Sequence, residues 1–352
     1  MYSLFPQAEA ETPLVGIARL AAHGEALSQG HKVEYIRLEN RSILTRCNSP
    51  RMPFTWMINP YRGCEFACKY CYARYTHEFM ELRDGLDFER KIYVKQHCGW
   101  LLRQELKQVR PGQSIAIGTA TDPYQPAERK YEITRAIMEE FSRHSGLSLG
   151  LVTKSDLILR DIDLLRAIAA RNRLSIHITV TTTDTNLARI LEPRAPRPDL
   201  RLKAVAALSQ AGIHTSINCA PVLPQITDSP QSLEGVVRGA AAAHAQSVAA
   251  MTLYLKPCSE KIFMPFLEEN FPHLVSFYRA RYADRAFLPA NYQKRISALV
   301  KRLCLKHGMT LRNEKSRPAF DRAVAPSQLG LFRGHESSSG TPVPTRFPQK
   351  KA

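Results

Sequence analysis

The sequence has no long uninterrupted hydrophobic run. Its longest apolar stretch, residues 239–255, is broken by His244, Gln246 and Ser247, which makes it too polar for a membrane-spanning helix. Residues 1–29 also lack the basic start and apolar segment that are typical of a signal peptide. We therefore expect no membrane association.

Cysteines are too few and too clustered to indicate a disulfide framework. The chain has eight cysteines in 352 residues, and three of them lie in one short segment. The hydrophobic fraction is 44%, an ordinary value for a protein with a large core. These features predict a cytoplasmic protein, in a reducing compartment, with one large domain or two of average size.

Acidic residues are scarce relative to basic residues. The chain carries 32 acidic and 49 basic side chains, which gives a formal net charge of +17. An excess of this size favours a polyanionic partner such as DNA or RNA. A basic composition that only keeps the protein soluble is the alternative, because net charge does not locate a binding face.

Three cysteines form the most informative motif. Cys64, Cys68 and Cys71 have the spacing C-x3-C-x2-C and follow the apolar segment 54–60, which predicts a short buried strand. Three thiolates on one loop after a strand are suited to a metal ion or an iron–sulfur cluster. Three ligands leave one iron of a four-iron cluster open, whereas closed structural sites usually supply four ligands.

Two other interpretations of these cysteines stay open. The first is three free buried thiols, although small buried cysteines rarely cluster so closely. The second is a structural zinc site with His77, six residues after Cys71, as the fourth ligand. This spacing differs from that of the usual zinc fingers, in which two close pairs of ligands are separated by a longer loop.

Strand-like and helix-like segments alternate about six times between residues 50 and 260. The strand-like segments are mostly apolar and β-branched, as parallel buried strands are, which fits a doubly wound sheet or a barrel. In a barrel, the C-terminal ends of the strands gather on the face that carries the active site. The predicted strands are 54–60, 114–118, 148–153, 175–181, 214–220 and 249–255.

The cysteine spacing, with the aromatic Tyr70 directly before the third cysteine, resembles that of the radical S-adenosylmethionine (SAM) enzymes. In that family the three cysteines hold a four-iron, four-sulfur (4Fe-4S) cluster. The open iron is chelated by the amino and carboxylate groups of SAM, and the aromatic residue lies against the adenine. The resemblance implies that Cys64, Cys68 and Cys71 are the cluster ligands.

The same resemblance implies a fold, a reaction and a partner. The implied fold is α/β, a partial (β/α)6 TIM-like barrel. In the family, one electron from the reduced cluster cleaves SAM to a 5′-deoxyadenosyl radical, which takes a hydrogen atom from the substrate. The protein supplies orientation and a dry pocket. A reducing electron donor such as flavodoxin or ferredoxin is implied; the substrate and the oligomeric state are not.

Four segments are expected in chain order. The two ends differ from the alternating region in composition, and the last segment is rich in Pro, Ser, Gly and basic residues. The segments are an N-terminal extension (1–48), the core barrel (49–260), a C-terminal helical cap (261–325) and a disordered basic tail (326–352). Helices are predicted at 263–281 and 292–307, and a strand at 31–36.

Segment 118–126 resembles a signature of the branch similar to spore photoproduct lyase. By this resemblance, a hydroxyl residue on strand two contacts SAM, a lysine on strand three meets its carboxylate, and a strand-four hydroxyl and the strand-five backbone complete the cradle. Turn capping, a solvated lysine and simple strand formation are the alternatives. The implied SAM-binding residues are Tyr70, Thr121, Asp122, Lys154, Thr181 and Ala220.

One family feature has no match. Spore photoproduct lyases carry a cysteine that gives a hydrogen atom to the product radical. Cys98, Cys219 and Cys258 are candidates here, with Cys219 favoured because it lies near a strand end, and a plain core thiol is the alternative for each. The resemblance therefore supports the cofactor chemistry more strongly than the lyase reaction.

The main hypothesis is an enzyme that reductively cleaves SAM and abstracts hydrogen from an unidentified substrate, with nucleic acid as the class that the charge favours. A narrower alternative is a DNA photolesion lyase. An alternative from another class is a non-catalytic zinc or iron–sulfur module that binds nucleic acid.

Overall fold

Eleven strands form two sheets in the computed structural model, which describes residues 14–29, 33–50 and 52–309. All described residues belong to one compact unit. The strands are β1 (Ala26–Gln29), β2 (Glu34–Leu38), β3 (Leu44–Arg46), β4 (Trp56–Ile58), β5 (Tyr61–Arg62), β6 (Lys91–Lys95), β7 (Ser114–Ile117), β8 (Ser148–Thr153), β9 (Arg173–Thr179), β10 (Thr215–Val222) and β11 (Val248–Thr252).

The larger sheet contains the six parallel strands that the sequence predicts. Its order is β11-β10-β9-β8-β7-β4-β3, so β4 and β7 to β11 lie side by side in chain order, and only β3 is antiparallel. Helices connect these strands, which confirms the α/β class. Among the described residues, β11 and β3 are the two edges of this sheet.

The parallel strands are held by apolar burial on both faces. Ile117 in β7, Leu151 in β8, Ile176 in β9 and Ile217 in β10 are completely buried in one core cluster. Such β-branched and leucine side chains favour parallel strands that are covered by helices. Because the strands run in the same direction, their C-terminal ends lie along one edge of the sheet.

The smaller sheet contains a strand that the sequence analysis did not predict. Its order is β1-β2-β6-β5, with β2 parallel to β6. Four successive residues of β6, Ile92 to Lys95, are buried, without the alternation expected for a half-exposed strand. The predicted strand 31–36 corresponds to β2, although residues 31 and 32 lie outside the described part.

Thirteen helices are present in the described part of the chain, and several short 3-10 turns accompany them. The helices are α1 (Gly16–Ala22), α2 (Tyr75–Glu78), α3 (Asp87–Arg90), α4 (Cys98–Glu105), α5 (Glu128–Tyr131), α6 (Ile133–Ser142), α7 (Ile162–Ala169), α8 (Thr185–Leu191), α9 (Pro198–Gln210), α10 (Pro230–Ala242), α11 (Pro257–Asn270), α12 (Val275–Tyr282) and α13 (Ala290–Lys306).

The predicted helix 263–281 is two helices. α11 ends at Asn270 and α12 starts at Val275, and Phe271 between them has the non-helical angles φ −142° and ψ 55°. Proline disfavours the helical conformation in the residue before it, and Pro272 follows Phe271. The predicted helix 292–307 corresponds to α13, which packs against β11 and α10. The predicted tail 326–352 lies outside the described residues. Within those residues, no helix has the length and apolar character needed to cross a membrane.

Candidate functional site

The cysteine loop starts directly after β5, which places Cys64 two residues beyond a strand of the smaller sheet. Gly63 has a φ of +82°, and a Cβ there would lie 2.7 Å from the Lys91 carbonyl oxygen and 2.8 Å from that of Phe88. The Cys64 amide donates to the Phe88 carbonyl at 2.8 Å. Only glycine fits this close approach, which fixes where the loop begins.

Buried charged side chains hold the loop from within. The Arg74 guanidinium donates to the Cys68 carbonyl at 3.1 Å and pairs with Glu89 at 2.7 Å. Glu65 accepts a hydrogen bond from the Tyr35 hydroxyl at 2.9 Å and from the Ala127 amide at 2.7 Å. These contacts tie the loop to β2 of the smaller sheet, to α3 and to the residue before α5, and they give the buried carboxylates hydrogen-bond partners.

The segment after β7 holds the loop from the other side. The Thr121 hydroxyl donates to the Gly63 carbonyl at 2.6 Å, and the Gln125 amide donates to the same oxygen at 3.2 Å. The Gln125 side-chain oxygen accepts from the Glu65 amide at 3.0 Å. Thr121, expected to contact SAM, therefore has its hydroxyl hydrogen committed to the backbone of the loop.

Of the three cysteines of the loop, Cys68 is buried and Cys64 and Cys71 are half-buried. Burial raises the pKa of the Cys64 thiol well above its usual value, and the nearby Asp122, Cys68 and Cys71 raise it further. Burial also raises the pKa of Cys68 to about 12 and that of Cys71 above its usual value. Metal ligation requires thiolates, so cluster binding at this loop would release protons.

His77 does not join the cysteines. Its Nε2 lies 3.1 Å from the Lys91 carbonyl oxygen, and its ring packs against Phe88 and Tyr93. In the described ranges, no three His, Cys, Asp or Glu side chains are grouped to hold one metal ion. This geometry does not support the zinc interpretation. A four-iron cluster does not need all ligands grouped around one ion, because each thiolate binds its own iron.

A buried polar network lies next to Cys68, on what we call the Cys68 side of the cysteine loop. The Tyr70 hydroxyl donates to Glu192 and lies 3.0 Å from the Thr181 hydroxyl. Thr181 Oγ1 is 2.9 Å from a Glu192 carboxylate oxygen and 3.2 Å from the Ala220 carbonyl. Glu192 and Arg201 form an ion pair at 2.5 Å, with side chains that are each 1% exposed.

The network brings together residues from distant parts of the chain. Tyr70, Thr181 and Ala220 were expected at the site, but Glu192 and Arg201 were not. They lie after α8 and within α9, in and next to a proline- and arginine-rich stretch for which the sequence indicates no functional role. Glu65, which lies in the loop, and Gln125 were also missed, because no sequence pattern pairs these two residues with each other.

Lys154 is the remaining cation of this region. Its Nζ lies 5.8 Å from the centre of the Tyr70 ring, and its amide donates to Asp122 at 2.7 Å. Burial lowers the pKa of Lys154, but nearby Cys68 and Glu192 outweigh that effect and raise it overall. The side chain stays charged and makes no ion pair at contact distance with the described residues.

The three candidate hydrogen-donor cysteines are all buried. Cys219 lies with its Sγ 4.0 Å from the Thr181 carbonyl, below the polar network, and burial raises its pKa to about 12. Cys258 precedes Ser259, whose hydroxyl donates to the Cys71 carbonyl at 2.8 Å. Cys98 belongs to the main hydrophobic core.

Relatives by sequence span most of the chain. An uncharacterized protein of Mycobacterium tuberculosis is 35% identical over 288 residues, which cover 81% of this chain and 84% of the relative. An uncharacterized protein of Methanocaldococcus jannaschii is 26% identical over 276 residues, which cover 78% of this chain and 98% of the relative.

The fold of the chain is similar to that of a solved structure. A variant of spore photoproduct lyase with bound SAM and a dinucleoside spore photoproduct has a TM-score of 0.60 and 13% identity, and the match covers 79% of this chain and 81% of that one. At this identity the likeness shows the fold alone. The sequence profile of the Radical SAM superfamily matches residues 58–234, about half of the chain. The chain belongs to the radical SAM superfamily, whose enzymes use a 4Fe-4S cluster and SAM.

Proposed function

We propose that the chain is a radical SAM enzyme in which Cys64, Cys68 and Cys71 bind a 4Fe-4S cluster. The observation that carries this proposal is the buried loop with three thiols, which is held on one side by Thr121 and Gln125. Three cysteine ligands suit a cluster that keeps one iron open for another molecule. When bound, the reduced cluster and SAM supply reductive cleavage of SAM and hydrogen abstraction from the substrate.

The Cys68 side would hold SAM. Lys154 is a half-buried cation that makes no contact ion pair with the described residues, and it is suited to the SAM carboxylate. The Tyr70 ring, fixed through its hydroxyl by Glu192, would lie against the adenine. Thr181 and the Ala220 carbonyl would border the nucleoside, and Thr121 and Asp122 would order the opposite wall. Tyr70, Thr121, Asp122 and Thr181 are buried, and their burial keeps water out.

We also propose that the larger sheet curves into a partial barrel. Six parallel strands in chain order, with helices in the connections between consecutive strands, are the arrangement of a partial (β/α)6 barrel. The similar structure of spore photoproduct lyase supports this geometry. The cysteine loop and the polar network would then share the face where barrel active sites lie.

We further propose a nucleic acid as the substrate class and a flavodoxin or ferredoxin as the electron donor. The net charge of +17 supports a polyanionic partner. The structurally similar lyase holds a dinucleoside, but the low identity transfers no reaction to this chain. The DNA photolesion reaction is therefore tested as one outcome among several.

The test is anaerobic reconstitution with iron and sulfide, followed by an assay for 5′-deoxyadenosine after addition of dithionite and SAM. The wild-type chain is expected to bind about four irons and to form the product. The triple Cys64→Ala, Cys68→Ala, Cys71→Ala variant is expected to lose both. Cys47→Ala, which removes a cysteine outside the motif, is the matched control and keeps both. A triple variant with unchanged iron content and product would refute the proposal.

A further inference from the structure

An aromatic cluster of two exposed rings and the half-buried Tyr254 lies beside the third cysteine. The rings of Tyr254 and Phe287 stack with their centroids 4.2 Å apart, and the Tyr72 ring lies 6.0 Å from that of Tyr254. Phe287 and Tyr72 are 42% and 37% exposed. Because Tyr72 directly follows Cys71, these three residues, here called the aromatic platform, border the cysteine loop. Grouped large exposed rings mark a binding surface.

The aromatic platform is held in place by backbone contacts. Tyr254 and Phe287 face each other in an antiparallel bridge, beside which the Leu255 amide donates to the Ala286 carbonyl at 3.0 Å. The Tyr72 hydroxyl donates to the Thr119 carbonyl. Thr119 and Tyr254 each follow a parallel strand by two residues, which puts the platform at the C-terminal edge of the sheet. A ligand that stacks there has little ordering cost to overcome.

Cations that lack contact ion pairs in the described residues accompany the rings. Lys256 Nζ lies 3.6 Å from the centre of the Tyr75 ring, and Arg62 Nε is buried without a hydrogen-bond partner. The pKa of Tyr75 is raised mainly by burial and then by Tyr254, and it is lowered by Arg62. Tyr254 and Arg62 therefore both lie near Tyr75. This arrangement offers positive charge beside the aromatic faces.

A second group of cations flanks Phe287 in the chain. Leu288 lines a cavity of about 510 Å³ that also contains Arg281 and Arg295. The two guanidinium groups lie over the rings of Phe277 and Tyr292, at 5.4 and 5.1 Å from the ring centres. Asp228, the acidic residue of this cavity, accepts a hydrogen bond from the Tyr292 hydroxyl at 2.7 Å. We call this cavity the arginine cleft.

We propose that the aromatic platform and the arginine cleft form one path for single-stranded nucleic acid, with an unpaired base stacked on the platform. This proposal rests on the proposed function and names its substrate class more closely. Stacking rings combined with guanidinium and ammonium groups match the faces of bases and the phosphates between them. A duplex keeps its base faces covered, so the platform favours an unpaired strand over a paired one.

The test measures binding of a fluorescein-labelled 12-nucleotide strand by fluorescence anisotropy, with the anaerobically reconstituted full chain and no reductant. Single-stranded DNA and RNA of the same sequence are compared with the duplex. The Tyr254→Leu, Phe287→Leu double variant is expected to bind about ten-fold more weakly. The Arg281→Gln, Arg295→Gln double variant is expected to lower the slope of log K against log salt by about 1.4.

Matched controls lie close to these positions or share their exposure. Arg279→Gln removes an arginine of α12 that is paired with Glu268 at 2.7 Å, and Trp100→Leu removes an aromatic side chain that is 62% exposed on α4. Both are expected to bind like the wild type. Thermal unfolding of each variant establishes that it is folded.

Three results would overturn the proposal: wild-type binding to the duplex as tight as to the strand, platform variants that bind like the wild type, or equal competition by an oligo-glutamate of the same length. Because the binding assay contains no reductant, its outcome is independent of SAM cleavage. A wild type that binds single strands but makes no 5′-deoxyadenosine would instead contradict the proposed function alone.

Discussion

The two sides of the cysteine loop are built differently. On the Cys64 side, Gly63, Thr121 and Gln125 meet in neutral hydrogen bonds to the loop backbone. On the Cys68 side, the Glu192–Arg201 ion pair and the cation Lys154 surround Tyr70. One side therefore fixes the loop, while the other presents charge to whatever binds beside it. Variants on each side separate these two roles.

The largest expected effect comes from breaking the ion pair on the Cys68 side. Arg201→Met leaves the Glu192 carboxylate buried without its cation, which is expected to destabilise the fold by about 3–5 kcal/mol. Urea unfolding measures this difference. The Glu192→Met, Arg201→Met double variant should recover much of the loss. If Arg201→Met alone has wild-type stability, the pair does not hold this side together.

A smaller loss is expected from the Cys64 side. Gly63→Ala should cost about 3 kcal/mol, because left-handed strain is added to a close approach to two carbonyl oxygens, and the loop should lose iron. Gly112→Ala is the matched control, since Gly112 also has a positive φ but has no atom within 4 Å of the added Cβ. It should cost about 1 kcal/mol and keep the iron content. Equal losses of stability and iron in the two variants would show that the close approach at Gly63 is not the cause.

The Cys64 side is also expected to be the acid-sensitive side. Burial lowers the pKa of His77 from 6.5 to about 4, so the folded state favours its neutral form. Its contribution to stability is complete above pH 6.5 and is lost as the pH falls from 6.5 towards 4, by about 2–3 kcal/mol. Urea unfolding between pH 7.5 and 4.5 should show this slope in the wild type and a shallower slope in His77→Leu. The same slope in both would contradict this assignment.

The smallest expected effect on stability, but a clear one on binding, comes from Lys154. Lys154→Met should weaken SAM binding by about ten- to thirty-fold while stability changes by less than about 1 kcal/mol. Equilibrium dialysis of SAM against the reconstituted protein measures the affinity. Lys130→Met, at an exposed lysine over the Tyr131 ring, serves as the control. An unchanged affinity for SAM in Lys154→Met would show that the charge on the Cys68 side does not contribute to SAM binding.

Much of this arrangement follows from local sequence patterns. Cys64, Cys68 and Cys71 are close in the chain, and the strands after which Thr121, Lys154 and Thr181 lie are recognised by their apolar β-branched segments. The parallel order of those strands then brings their ends together. These features depend on short segments whose chemistry is visible without the fold.

The partners of those residues depend on tertiary packing. Glu192 and Arg201 look like solvated charges in the sequence, and only the packing of α9 against the strands buries them as a pair. β6 was missed because its buried residues do not alternate. Tyr254 and Phe287 are distant in the chain and meet only because an antiparallel bridge places them side by side.

The most direct test of the central claim is electron paramagnetic resonance of the dithionite-reduced, reconstituted protein with and without SAM. An open iron next to Cys64, Cys68 and Cys71 predicts a reduced 4Fe-4S signal that changes when SAM is added, and a smaller change in Lys154→Met at the same SAM concentration. A cluster signal that SAM leaves unaltered, or a wild-type protein that assembles no cluster, would contradict the account.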